Sequence, residues 1–283
     1  MTGTAALDSA PPAVPVSLSM FDPIPIGIDE FGHRVGVRVI YKNVLAAGEP
    51  GGGKSALLQI IAAHAALSAR SRLVLFDGKL VELGLLKSVA DEFVGPDIDH
   101  AITTLRRLQL VMNRRYAWLG ACGRRKIEPW DAITTITAIF DEIALFSTVL
   151  GTEQQQKEFV TLLRDLVARG RAAGIIVIAA TQRPSVDIIP KSLRDLFGYR
   201  AAFRCTSDGS SDIILGDGWS GQGFTAVDIP PTNPGVALLI AEGGTPRRIK
   251  TDYLTDGDIK AIAAYAAWVR DTPTTPMPAL PAA

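Results

Sequence analysis

The octapeptide Gly48-Glu49-Pro50-Gly51-Gly52-Gly53-Lys54-Ser55 restricts the possible folds more than any other feature of this sequence. It satisfies the pattern GxxxxGK[ST] and lies between an apolar run, Val44 to Ala47, and a helix-like stretch, Lys54 to Ser68. Glycines let the backbone wrap so that successive N–H groups face an anion. The helix that starts there adds the positive end of its dipole. Such a loop needs a strand behind it and a helix ahead, which points to an α/β fold. Lys54 can then reach the β- and γ-phosphates of a nucleoside triphosphate, and the Ser55 hydroxyl can ligate Mg²⁺. Gly48, Glu49, Pro50, Gly51, Gly52, Gly53, Lys54, Ser55 and Ala56 are the candidate nucleotide-binding residues. The alternative is a glycine-rich turn that binds nothing.

The rest of the chain repeats the alternation. Strands are expected at Val44 to Ala47, Leu73 to Phe76, Ile136 to Phe140, Ile175 to Ala180 and Ala201 to Phe203, each short and apolar as in a buried parallel sheet. Helices are expected at Lys54 to Ser68, Ala101 to Leu119, Gln154 to Ala173 and Ser192 to Leu196. In the second, Ala101, Leu105, Leu108 and Met112 form one apolar stripe. Val236 to Ala241 and Arg247 to Thr251 flank Glu242-Gly243-Gly244 as a hairpin, and Asp256 to Arg270 makes a final amphipathic helix. The organisation expected is a disordered segment 1–22, one ATPase-like domain over 23–270, and a disordered Pro-rich tail over 271–283.

Among 283 residues, 29 basic groups balance 29 acidic ones, so any contact with nucleic acid must use local charge. One such locality is Ala101 to Lys126, which holds Arg106, Arg107, Arg114, Arg115, Arg124, Arg125 and Lys126 and no acid after Ala101. It reads equally as a surface for duplex phosphates or as a plain solvated face. The two cysteines, Cys122 and Cys205, are expected to be buried small hydrophobes in a reducing compartment. No run approaches the roughly 18 apolar residues of a membrane span, and the start lacks a charged signal region, so a cytoplasmic protein is expected.

Nucleotide chemistry also needs an acid at the tip of a neighbouring strand. Ile136 to Phe140 runs into Asp141-Glu142, where Asp141 would hold Mg²⁺ and Glu142 would polarise water for attack on the γ-phosphate. Acids in this place also serve as helix caps. A third strand ends in Thr181-Gln182-Arg183-Pro184, and ligands of a parallel sheet sit at the carboxyl ends of its strands. Gln182 is therefore a candidate γ-phosphate sensor, or else a polar strand exit stopped by Pro184.

Together these residues resemble the motor domain of FtsK/SpoIIIE-type DNA translocases. The resemblance runs from about Pro25 to Ile262. It includes Pro25-Ile26-Gly27-Ile28-Asp29, the glycine loop, and Leu75-Phe76-Asp77-Gly78-Lys79-Leu80-Val81-Glu82-Leu83, which is similar to the family's "IDPKxxEL". It continues through Val111-Met112-Asn113-Arg114-Arg115-Tyr116, similar to "EMxxRY", and Asp141-Glu142. Arg171-Ala172-Ala173-Gly174 leading to Ala180-Thr181-Gln182-Arg183-Pro184-Ser185-Val186-Asp187 is the most specific part, and Tyr199 to Arg204 a looser one.

The resemblance implies a RecA-like P-loop NTPase fold, a mostly parallel sheet flanked by helices with a C-terminal hairpin and helix. It implies a homohexamer that moves double-stranded DNA through a pore, with ATP and Mg²⁺ as cofactors. It also implies that Arg200, or alternatively Arg194, enters the neighbouring subunit's site as an arginine finger. Gly151 to Lys157 is the pore-loop candidate by the same resemblance. Two departures stand out: Asp212 replaces an arginine of the family's "DSRTIL", and Ile143-Ala144-Leu145-Phe146 lacks a second Asp. The sequence to Ala283 contains no winged-helix module or membrane anchor, so a separate anchoring or DNA-targeting partner is expected. Plasmid transfer, episome handling and chromosome segregation all suit such a motor, and a type VII-like protein-secretion ATPase is the alternative.

Overall fold

The structure, a computed structural model, describes residues 16–241 and 243–271. In chain order the strands are β1 (Ile24–Asp29), β2 (Arg34–Val37), β3 (Val44–Ala47), β4 (Ser71–Phe76), β5 (Glu92–Val94), β6 (Thr135–Phe140), β7 (Ile175–Thr181), β8 (Tyr199–Phe203), β9 (Val236–Ala241) and β10 (Arg247–Thr251). The helices are α1 (Lys54–Ala66), α2 (Ile98–Ala121), α3 (Glu153–Arg169), α4 (Lys191–Arg194), α5 (Asp208–Leu215) and α6 (Asp256–Asp271).

All ten strands join one sheet in the order β2-β1-β10-β9-β8-β3-β7-β6-β4-β5. From β8 to β5 every pairing is parallel, and from β8 outward to β2 every pairing is antiparallel. The parallel strands β3, β6 and β7 are buried along their whole length, as their uninterrupted apolar sequences require. One face carries α2, α3, α4 and α5, and the other carries α1, α6 and the 3₁₀ turn Gly84–Val89. The fold is thus α/β with a mostly parallel core, as expected.

The helix α2 buries Ala101, Leu105, Leu108 and Met112 as the stripe anticipated. Phe76 and Phe140, opposite each other in register, stack with ring centres 4.0 Å apart, and Phe146 and Phe159 complete an aromatic cluster beneath the strand tips. That cluster fixes the exits of β4 and β6, from which the acids of the site emerge.

Several expectations need correction. The sequence suggested one hairpin beside the parallel strands, but β1 and β2 extend it to a four-stranded antiparallel annex. Part of the segment expected to be disordered packs on the domain: Leu18 N–H donates to Leu67 O, the Ser19 carbonyl contacts His64, and Met20 is buried. Residues 1–15 and 272–283, the rest of the two expected disordered ends, lie outside the described residues, as does Glu242 of the hairpin. Cys205 is buried as expected, but Cys122, the C-cap of α2, is exposed. Among the described residues no helix is long and apolar enough to cross a membrane.

Candidate nucleotide site

The glycine loop leaves β3 at Gly48 and enters α1 at Lys54. Gly48, Gly51 and Gly53 all have positive φ, at 147°, 74° and 102°. At Gly53 the requirement is double, because a Cβ there would also lie 2.3 Å from Gly235 N. The loop is held from three sides. Gly48 N–H donates to Thr181 O of β7, Glu49 N–H donates to Arg204 O after β8, and Gly52 O accepts from Gly235 N–H before β9. An ion pair of 2.5 Å between Arg204 and Glu49 adds to the second contact.

Lys54 is buried and its Nζ donates to Gly48 O and Glu49 O, both at 2.7 Å. The ammonium thus sits inside the curl of the loop, where a β- or γ-phosphate oxygen could exchange for either carbonyl. Burial draws its pKa down to about 8, opposed by the charges of Glu142 and Asp141. Ser55 and Ala56 follow in the first turn of α1, with Ser55 half-buried and Ala56 buried. Pro50 is exposed at the loop tip.

Asp141 and Glu142 leave β6 beside β7, the strand next to β3. Asp141 N–H donates to Phe76 O, so its register is set by β4. Its side chain is 5% exposed and Oδ2 has no hydrogen-bond partner. Burial, with Glu82 next in weight, raises its pKa to about 7. An orphaned, buried carboxylate oxygen suits Mg²⁺, a hard cation that takes oxygen ligands and keeps water and phosphate among them. No cluster of three or more His, Cys, Asp or Glu residues poised for a metal occurs among the described residues, so an ion here would draw most of its ligands from nucleotide and water. Glu142 accepts from Ala144 N–H at 3.1 Å and from Gln182 N–H at 2.8 Å. Its carboxylate is therefore oriented by two backbone donors.

Gln182 thus meets the site first through its backbone, at the exit of β7, with its side chain half-buried. Arg200 and Arg194 lie together. Arg194 is buried, pairs with Asp195 and Asp217 at 2.9 and 3.0 Å, and donates to Asp212 O. Arg200 has only a 3.6 Å contact with Asp195, and burial followed by the repulsion of Arg194 lowers its pKa. Of the two, Arg200 is the less committed within its own subunit. Asp212, the departure from the family pattern, accepts from Gly218 N–H, Ser220 N–H and the Ser220 hydroxyl, so it ties down the loop after α5.

The basic run is largely neutralised. Arg106 pairs with Glu158, Arg107 with Glu92, Arg124 with Asp131 and Lys126 with Glu128, while Arg115 donates to Ala173 O and Thr134 O. Only Arg114 and Arg125 lack a partner among the described residues. Of the acids that pair with this run, Glu158 and Glu92 come from α3 and β5, and Glu128 and Asp131 from the loop that follows it. The other DNA candidate, Gly151 to Lys157, forms the capped start of α3, with a Thr152–Gln155 capping box, at the sheet edge that holds the glycine loop.

Sequence reasoning missed the role of the segment after β4. Asp77 is fully buried and accepts from Lys79, Leu80 and Leu83 N–H, folding the segment into a tight turn. That turn brings Lys79 and Glu82 close enough to act on the charge of Asp141. The signal was Asp77 at a strand tip parallel to that of Asp141, in register through Phe76 and Phe140.

A family model described as the FtsK/SpoIIIE family matches residues 15–211. The protein "DNA translocase FtsK" of Treponema pallidum is 31% identical over 245 residues, covering 80% of this chain and 29% of that protein. Its namesake in Chlorobaculum tepidum is 28% identical over 243 residues, covering 79% and 29%. The chain therefore spans about three-tenths of the length of these relatives. Among solved structures, the pCW3 conjugation coupling protein TcpA with ATPγS superposes with a TM-score of 0.75 at 20% identity, over 93% of this chain and 75% of that one. EssC ATPases 2 and 3 from Geobacillus thermodenitrificans give 0.72 at 17%, over 94% and 52%. At these identities the likeness is one of fold.

Proposed function

This chain belongs to the FtsK/SpoIIIE family, and from that membership we propose that it is an ATP-driven translocase of double-stranded DNA, working as a homohexamer. The observation that carries the catalytic part is the convergence of a closed glycine loop, a buried Asp141 with a free oxygen, and an oriented Glu142 on one end of the sheet. The DNA part rests on the curated relatives named as DNA translocases. Plasmid transfer, episome handling and chromosome segregation are all served by such a motor.

The loop N–H groups and Lys54 bind and orient the phosphates. Ser55 and Asp141 would hold Mg²⁺, which when bound neutralises charge on the β- and γ-phosphate oxygens. Glu142 accepts a proton from the attacking water, and Gln182, on the same backbone bond, carries the state of the site into the segment leading to α4 and β8. Arg200 reaches the γ-phosphate of a neighbouring subunit.

The test is ATP hydrolysis with and without duplex DNA, at two salt concentrations, for wild type and Glu142→Gln. Turnover stimulated by duplex at low salt and reduced by roughly 10²–10⁴-fold in the variant is the expected result. Stimulation by polypeptide and not by duplex would transfer the chain to protein secretion.

A further inference from the structure

The segment from Arg124 to Thr134 lies at the strand-start edge of the sheet, since it feeds β6 and since Ile127 N–H donates to Ala172 O just before β7. The six residues of β6 place it about 20 Å from Asp141. It is a rigid loop. Asp131 accepts from Glu128 N–H and pairs with Arg124, Tyr41 donates to Ile127 O, and Arg70 donates to Pro129 O and Asp131 O.

Five cations serve or extend from this segment, namely Arg70, Arg115, Arg124, Arg125 and Lys126, against two carboxylates, Glu128 and Asp131. In a chain with no net charge that is a local positive excess. Arg124, Arg125, Lys126, Glu128 and Trp130 line a cleft of about 400 Å³. Trp130 is 76% exposed, with no hydrogen bond or ring contact among the described residues. Arg124 stands over the ring of Trp118 and Lys126 over that of Tyr41, which fixes both cations beside the cleft.

A bare indole on a fixed loop flanked by cations fits a base whose face is free and the phosphates on either side of it. Duplex DNA offers no such face within its stack. We infer that the cleft between Arg124 and Trp130 binds a short single-stranded segment of nucleic acid, one base stacking on Trp130 and its phosphates meeting Arg125, which has no partner among the described residues, and the half-exposed Lys126. The site is separate from the nucleotide site and from any pore at the opposite edge of the sheet, and it does not depend on the motor reading.

The test is fluorescence anisotropy of a labelled dT12 with the full chain, comparing wild type, Trp130→Ala, Trp130→Phe and the double variant Arg125→Glu/Lys126→Glu. Wild type is expected to bind with a log–log salt slope of about −1.4, from two phosphates at roughly 0.7 each. Trp130→Ala should weaken binding about tenfold or more, Trp130→Phe should recover most of it, and the double variant should lose it. Duplex-stimulated ATP hydrolysis should be unchanged in Trp130→Ala, so a failure of the motor reading shows in that assay and a failure of this site in the other. Equal binding of dT12 by wild type and Trp130→Ala would overturn the inference. So would duplex binding with the same sensitivity to Trp130, or competition by polyglutamate as effective as by unlabelled dT12.

Discussion

Burial leaves Asp141 with a carboxyl that titrates near 7, far above its value of 3.8 in the unfolded chain. The folded state therefore holds a proton that the unfolded state gives up between about pH 4 and 7. Stability falls as pH rises through that window, and the cost is fully present above it. Asp141→Asn removes the charge without changing the shape. It should stabilise the nucleotide-free protein by about 2–4 kcal/mol at pH 8 and by little at pH 4, read from denaturation at the two pH values. The same variant should lose ATP hydrolysis, because the oxygen that costs stability is the one free to bind a cation. If the variant is no more stable at pH 8 than wild type, the carboxylate is ionised without penalty and the account of its environment is wrong.

Among the elements, the aromatic cluster at the tips of β4 and β6 links packing to chemistry. Phe159 of α3 meets both Phe140 and Phe146, so truncating it undercuts the strand that carries Asp141 and Glu142. Phe159→Ala should cost about 3–5 kcal/mol in urea denaturation. How legible each element was follows its environment. The buried parallel strands Val44–Ala47, Thr135–Phe140 and Ile175–Thr181 were readable because burial on both faces leaves an unbroken apolar run. The strands β1 and β2 were not, since Pro25, Gly27 and Arg34 interrupt an edge whose register also shifts at a bulge. The three residues of β5 are too few to show a period. The helix α5 depends on a Ser207 cap and a half-turn of Ile214 and Leu215, with no apolar stripe to announce it. The glycine loop and its acids were readable as motifs. The pairing of Arg106 with Glu158 and of Arg107 with Glu92 was not, because those acids come from α3 and β5 and local sequence holds no record of distance; Glu128 and Asp131, which pair with Lys126 and Arg124, lie within the same loop.

Across the whole molecule, the nucleotide site faces outward at one end of the sheet, with Arg200 on the same subunit but held only weakly by Asp195. The Arg200 side chain is largely buried, so service to a neighbour would require it to leave that setting. Mixing Lys54→Ala subunits with Arg200→Ala subunits should restore ATP hydrolysis at interfaces that pair an intact loop with an intact arginine, with recovery greatest near equal proportions. Absence of recovery at every ratio would remove Arg200 from that role. The hydrogen bond from Gly235 N–H to Gly52 O spans nearly two-thirds of the chain, and Thr251 N–H in turn donates to Gly235 O. The loop read first by the ribosome is thus closed by residues made nearly two hundred positions later. A nascent chain that has emitted its glycine loop, α1 and β4 has every residue of the phosphate cradle and none of its clamp, so it cannot spend ATP before the domain is complete.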